Sequence, residues 1–174
     1  GDATSVLDGF IIEEGSASGS CSSCDDVTGG GLFMDGGSPR IANTVFRNNE
    51  AGGSFGYGGA VALFGGAEPV FVNVLMYGNE AQNGCAVRLH NSQPSFYNTT
   101  ITGNISGAPG GSAILRSGGE IGMYNSIVAD NDGSLLTNQF NSISANDTIM
   151  SSLVSGISEN SSLGTIDDEP MFLD

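Results

Sequence analysis

The residues of this chain best placed for chemistry are carboxylates and thiols. Glu50 and Glu80 each follow directly on an asparagine, Asn49 and Asn79. If those asparagines hold equivalent places in successive structural units, the carboxylates stand one above the other, about 5 Å apart. Such a pair suits a hard cation, with calcium the candidate, or an acid and nucleophile acting on a glycoside. Both glutamates can equally be solvated corner residues. Asp132 takes the same position further on, with Ile105 interrupting the series. Asp25 and Asp26 add two carboxylates beside Cys21 and Cys24. A C-x-x-C pair that is redox-active needs a βα context, which this sequence lacks, and a zinc site lacks further ligands because His90 is the sole histidine. The expected state is a local Cys21–Cys24 disulfide closing a Gly/Ser loop, which implies an oxidising, extracellular setting. Cys85 reads as a small buried residue and His90 as a surface residue. Arg40, Arg47, Arg88 and Arg116 are scattered, without the basic residue next to an Asp cluster that a calcium-dependent lyase requires.

The elements that must position these groups come from a repeat. A Gly-rich step, an apolar run, an Asn, a second apolar run and a second Asn recur in GGLFMDGGSPRIANTVFRNNEA (30–51), GAVALFGGAEPVFVNVLMYGNEA (59–81), CAVRLHNSQPSFYNTTITGNIS (85–106) and SAILRSGGEIGMYNSIVADNDG (112–133). The first Asn falls at Asn43, Asn73, Asn98 and Asn125, and the second at Asn49, Asn79, Asn104 and Asn131. Both series keep register through every insertion, so a solenoid is expected. Worn copies flank the repeat: SVLDGFIIEEG (5–15) aligns Asp8 and Glu14 with the two Asn positions, and TIMSSLVSG (148–156) aligns Ser151 with the first.

The apolar runs are short, β-branched or aromatic, and broken by Gly, Pro, Asn and Ser, which is a strand pattern. The expected fold is all-β: a right-handed parallel β-helix of about six coils of roughly 25 residues. It spans 1–163, with a loop insertion at 15–29, and 164–174 forms a terminal cap. Three inward stacks follow. They are Leu32, Val61, Val87, Ile114 and Leu135; then Ile41, Phe71, Phe96 and Met123; then Phe46, Met76, Ile101 and Val128. The two Asn series are expected as corner ladders, amide bonded to amide and to local backbone. That placement makes the sequon asparagines Asn98 and Asn104 inaccessible. Arg116 is out of keeping, since it stands where Met34, Leu63 and Leu89 point inward.

The Gly58-Gly59-Ala60-Val61 step and the Phe46-x-x-Asn49 run resemble the repeats of chlamydial polymorphic outer membrane proteins, which recur in secreted β-helix proteins of bacteria. The SVLDGFII opening and the SSLVSG…IDDEPMFLD close resemble the last coils and end-cap of such proteins. The resemblance covers nearly the whole chain. One copy alone keeps a full Phe-x-x-Asn, and one alone a full Gly-Gly-Ala. It implies a location at the bacterial cell surface and a fragment, or C-terminal part, of a longer helix.

Nineteen acidic residues against four Arg and no Lys give a net charge of -15. Such a chain repels nucleic acid and anionic membranes. It also holds no apolar stretch long enough for a membrane span. The insertions all lie between the second Asn and the next Gly step, so one corner carries Asp25, Asp26, Glu50, Phe55, Tyr57 and Glu80 as the candidate binding surface. Val45, Leu75, Thr100, Ile127 and Leu153 are expected to face outward as an assembly stripe, and Phe33, Ala62 and Leu115 as a second one interrupted by Arg88. The expected function is non-enzymatic: adhesion or self-assembly, with other copies or domains of the same surface protein as partners. Glycan binding or polysaccharide cleavage is the alternative, drawing on Phe55, Tyr57, Tyr77, Tyr97 and Tyr124 for aromatic platforms.

Overall fold

Runs of two to six strand residues are too short to bury an apolar face alone, so each pairs with its copy one repeat away. The computed structural model describes residues 1–19, 27–109, 111–131, 146–154 and 165–166. A partial first coil supplies β1 (Val6–Asp8), β2 (Ile11–Glu13) and β3 (Ser16–Ala17). Full coils follow: β4 (Leu32–Asp35), β5 (Arg40–Ala42), β6 (Val45–Arg47) and β7 (Glu50–Ala51), then β8 (Val61–Phe64), β9 (Val70–Val72), β10 (Leu75–Tyr77) and β11 (Glu80–Ala81). The next holds β12 (Val87–Ser92), β13 (Ser95–Tyr97), β14 (Thr100–Thr102) and β15 (Ile105–Ser106). After it come β16 (Ile114–Gly119), β17 (Gly122–Tyr124) and β18 (Ile127–Ala129), then β19 (Thr148–Met150), β20 (Ser152–Val154) and β21 (Thr165–Ile166).

Every strand pairing is parallel and joins equivalent strands of neighbouring coils. Sheet I runs β1-β5-β9-β13-β17-β19, sheet II β2-β6-β10-β14-β18-β20-β21, sheet III β3-β7-β11-β15 and sheet IV β4-β8-β12-β16. The molecule is a parallel β-solenoid of about four turns. The count differs from the expected six: among the described residues sheet IV has four members where sheets I and II have six and seven. From the predicted cap, Thr165–Ile166 adds a strand beside Ser152–Leu153.

The three inward stacks form as expected across the described coils, in one core cluster. Phe71 and Phe96 stack face to face, with centroids 4.8 Å apart. Leu7 and Ile149 extend one column and Ile12 another. Leu135 lies outside the described residues. The first-coil alignment shifts by one residue. Asp8 pairs with Ala42 and Glu13 with Arg47, so Gly9 takes the place of the first Asn and Gly15 that of the second. Ser151 does stand opposite Asn125, because Met150 pairs with Tyr124.

Proline starts the strands of sheet I at Pro39, Pro69 and Pro94. Each lacks an N–H, yet its carbonyl accepts from the next coil: Val70 from above Pro39, Ser95 from above Pro69 and Gly122 from above Pro94, all at 3.0 Å. The corners between sheets I and II and between II and III share one two-residue design. An outward residue in the left-handed conformation is followed by an inward one. At the first corner the outward residues are Asn43, Asn73, Asn98, Asn125 and Ser151, with φ between 48° and 55°. At the second they are Glu14, Asn48, Gly78, Gly103 and Asp130.

Candidate functional site

The two asparagine series therefore do different work. The second series fills the inward slot. Asn49, Asn79 and Asn104 are wholly buried and Asn131 nearly so. Each Nδ2 donates to the next Oδ1: Asn49 to Asn79 at 2.9 Å, Asn79 to Asn104 at 2.8 Å and Asn104 to Asn131 at 2.7 Å. Each Oδ1 also accepts a backbone N–H from the preceding coil, Gly15 included. This ladder is structural, as expected. The first series fills the outward slot and is exposed, which overturns its reading as an inaccessible ladder and leaves Asn98 accessible. Amide contacts still link Asn73 to Asn43 and Asn125 to Asn98, both on the surface. Asn is used there because a short polar side chain tolerates positive φ.

The inward slot at the first corner holds a second polar ladder. Thr44, Thr99, Ser126 and Ser152 are buried there, with the backbone N–H of Thr99 bound to Ser126 Oγ and that of Ser126 to Ser152 Oγ. The signal was legible: a Ser or Thr follows the first Asn in three of the four full copies, with Val74 as the exception.

At the loop-bearing corner, Glu50 and Glu80 are directly paired one coil apart, both exposed, with Ser16 before them and Ile105 after. Two carboxylates are a minimal cation site, and no group of three or more His, Cys, Asp or Glu suited to a metal occurs among the described residues. Phe55 is exposed at a loop tip. Tyr57 sits deeper: it bridges Thr28 and Asn83 in adjacent coils, with the Arg88 guanidinium 5.1 Å above its ring. Burial pushes the Arg88 pKa down, and the attraction of Tyr57 opposes this. Cys21, Cys24, Asp25, Asp26 and Asp132 lie outside the described residues.

The main stripe has the expected register. Ile11, Val45, Leu75, Thr100, Ile127 and Leu153 follow one another along sheet II, and those from Val45 to Ile127 are half-buried. Leu153 is placed by its backbone alone. The second expected stripe is interrupted as well as half-buried: Phe33 and Leu115 are as exposed as the main stripe, but glycines of the steps fold back over this row. A Cβ at Gly29 would stand 3.1 Å from Ala62 Cβ, one at Gly58 3.0 Å from Arg88 Cβ, and one at Gly84 2.8 Å from Leu115 Cβ. Ala62 is fully covered. His90, expected on the surface, is half-buried and packs its ring against Phe64 at 5.2 Å.

Arg116 does point into the aliphatic column, opposite Leu89. Its charge is met by the buried Asp147 carboxylate at 2.9 Å, and that oxygen also accepts the Ile121 N–H. Asp147 occupies the place that Pro94 and Ile121 hold in earlier coils. The pair thus replaces an aliphatic residue and a proline or isoleucine by two opposite charges that meet inside the core.

On sheet I, Tyr97 and Tyr124 occupy one outward position in adjacent coils and stack at 4.6 Å, 9° from parallel. Tyr77, by contrast, is tied to Arg47, which also holds Glu13 at 2.5 Å. Leu7, Ile12, Leu32 and Met34, the first residues of the core columns, are half-exposed, whereas Ile41, Phe46, Val61 and Leu63, one coil on, are at most 2 % exposed. β1, β2, β3 and β4 are the terminal strands of all four sheets on that side.

Against known proteins, no family model matches the chain, and no curated protein or solved structure matches it.

Proposed function

We propose that this chain is a non-enzymatic coil module of an extracellular bacterial surface protein, related to the polymorphic outer membrane protein repeats it resembles. It works in assembly or adhesion by packing the outer face of sheet II against another copy. The observation that carries the reading is the ladder of Val45, Leu75, Thr100 and Ile127, which repeats one mostly apolar outward position through four coils and is only half-buried. An apolar row left open in this way marks a contact surface. The acidic loop corner remains a further surface for adhesion.

The test is sedimentation velocity over a wide concentration range, comparing the wild type with Leu75→Lys, which sets a charge in the middle of that ladder. Larger species that grow with concentration and vanish in Leu75→Lys, with an unchanged circular dichroism spectrum, support the contact. A wild-type chain that stays monomeric throughout refutes it.

A further inference from the structure

The corner between sheets IV and I carries a cleft across three successive coils, with a volume of about 170 Å³. Its base is apolar and buried, formed by Pro94 and Ile121. Its rim is polar: the Gln93 and Asn146 amides, the Glu120 carboxylate, and the Ser95 and Thr148 hydroxyls. Tyr124 forms one wall. Its ring leans over Gly122, so that a Cβ at Gly122 would meet Tyr124 Cε2 at 3.0 Å and the hydroxyl at 3.4 Å. The absent side chain at Gly122 is what lets the ring lie there. Tyr97, stacked on Tyr124 from the preceding coil, holds that wall in place.

We infer that this cleft binds one neutral hexose unit of a glycan. The rim combines groups that donate and accept with one that only accepts, which matches the paired hydroxyls of a pyranose. The Tyr124 ring suits a C–H face of the same pyranose, while the accessible lining is otherwise polar. Drug-sized ligands need about 300 Å³ or more, so this cleft takes a single ring and leaves the rest of the chain along the rod. The lining holds no basic side chain, and the chain carries a net charge of -15, so acidic sugars and phosphates are disfavoured. The inference is independent of the proposed contact, because the sheet II ladder contributes nothing to the cleft.

The experiment is saturation-transfer NMR with titration of the full chain, using the methyl glycosides of glucose, galactose and mannose, with methyl glucuronide as the acidic comparison. At least one neutral hexoside is expected to saturate with a Kd on the order of 1 mM. Glu120→Ala, at an exposed position, is expected to weaken it about tenfold, as loss of a charge-assisted hydrogen bond does, with no change in melting temperature. Glu80→Ala, at the distant loop corner, is expected to bind as the wild type. Absence of saturable binding by all three hexosides overturns the inference. So does unchanged affinity in Glu120→Ala, or glucuronide binding as tight as the neutral sugar.

Discussion

Asn79 and Asn73 stand six residues apart in one copy of the repeat, and replacing each separates a ladder residue from a corner residue. The Asn79 side chain takes part in five hydrogen bonds. Its Oδ1 accepts from the Asn49 backbone N–H at 3.1 Å and from Asn49 Nδ2 at 2.9 Å. Its Nδ2 donates to the carbonyls of Phe46 at 3.0 Å and Tyr77 at 3.1 Å, and to Asn104 Oδ1 at 2.8 Å. All five lie in a fully buried site, so Asn79→Ala leaves backbone donors and acceptors unmet where water cannot replace them. At about 1 kcal/mol for each bond, the expected loss is roughly 5 kcal/mol. Asn73 is exposed, makes a 2.7 Å contact to Asn43, and sits at φ 55°. Asn73→Gly keeps that backbone conformation without strain and is expected to change stability by no more than about 0.5 kcal/mol. Asn73→Leu, which must place a Cβ in the left-handed region, is expected to lose about 1 kcal/mol. Equilibrium urea unfolding followed by circular dichroism reads all three. If Asn79→Ala and Asn73→Gly lose stability to within about 1 kcal/mol of each other, the assignment of the two series to different slots is wrong.

The buried ion pair gives a second prediction: Asp147→Ala removes the carboxylate that meets the Arg116 charge and accepts the Ile121 N–H, and should lose about 3–5 kcal/mol, while Arg116→Leu with Asp147→Ile should recover most of it in the same urea assay. Gly58→Ala drives a Cβ into the Val61 carbonyl at positive φ, whereas Gly66→Ala meets open space. Gly58→Ala is therefore expected to lower the melting temperature well beyond Gly66→Ala, and equal effects would refute the close packing of the step. Glu80→Gln removes one of two like charges paired across adjacent strands, so its melting temperature is expected to rise in low salt, with the gain shrinking as salt is added. If a calcium ion bridges the pair, calcium raises the melting temperature of the wild type and not of Glu80→Gln; an equal rise in both excludes the bridge.

The sequence by itself determined the solenoid, its parallel register and its core columns. Strand partners one repeat apart share a side-chain period of two, and slippage by one residue would turn Phe71, Phe96 and Met123 out to water. It also located the asparagine positions and the corner that bears the insertions. Which asparagine faces inward was not legible, because both series have the same spacing and composition. The choice depends on whether the residue is itself left-handed or follows a left-handed residue, a difference of one place around a turn. The same one-place ambiguity moved the first-coil alignment from Asp8 to Gly9 and from Glu14 to Gly15. Tertiary structure alone decided the rest. The partner of Arg116 lies 31 residues away, across a segment where the repeat is lost. Ala62 is covered by a glycine from the preceding coil. The cleft walled by Tyr124 draws its rim from three coils whose corner residues share no motif. A repeat records what neighbouring coils have in common; contacts that arise where coils differ appear only once they are stacked.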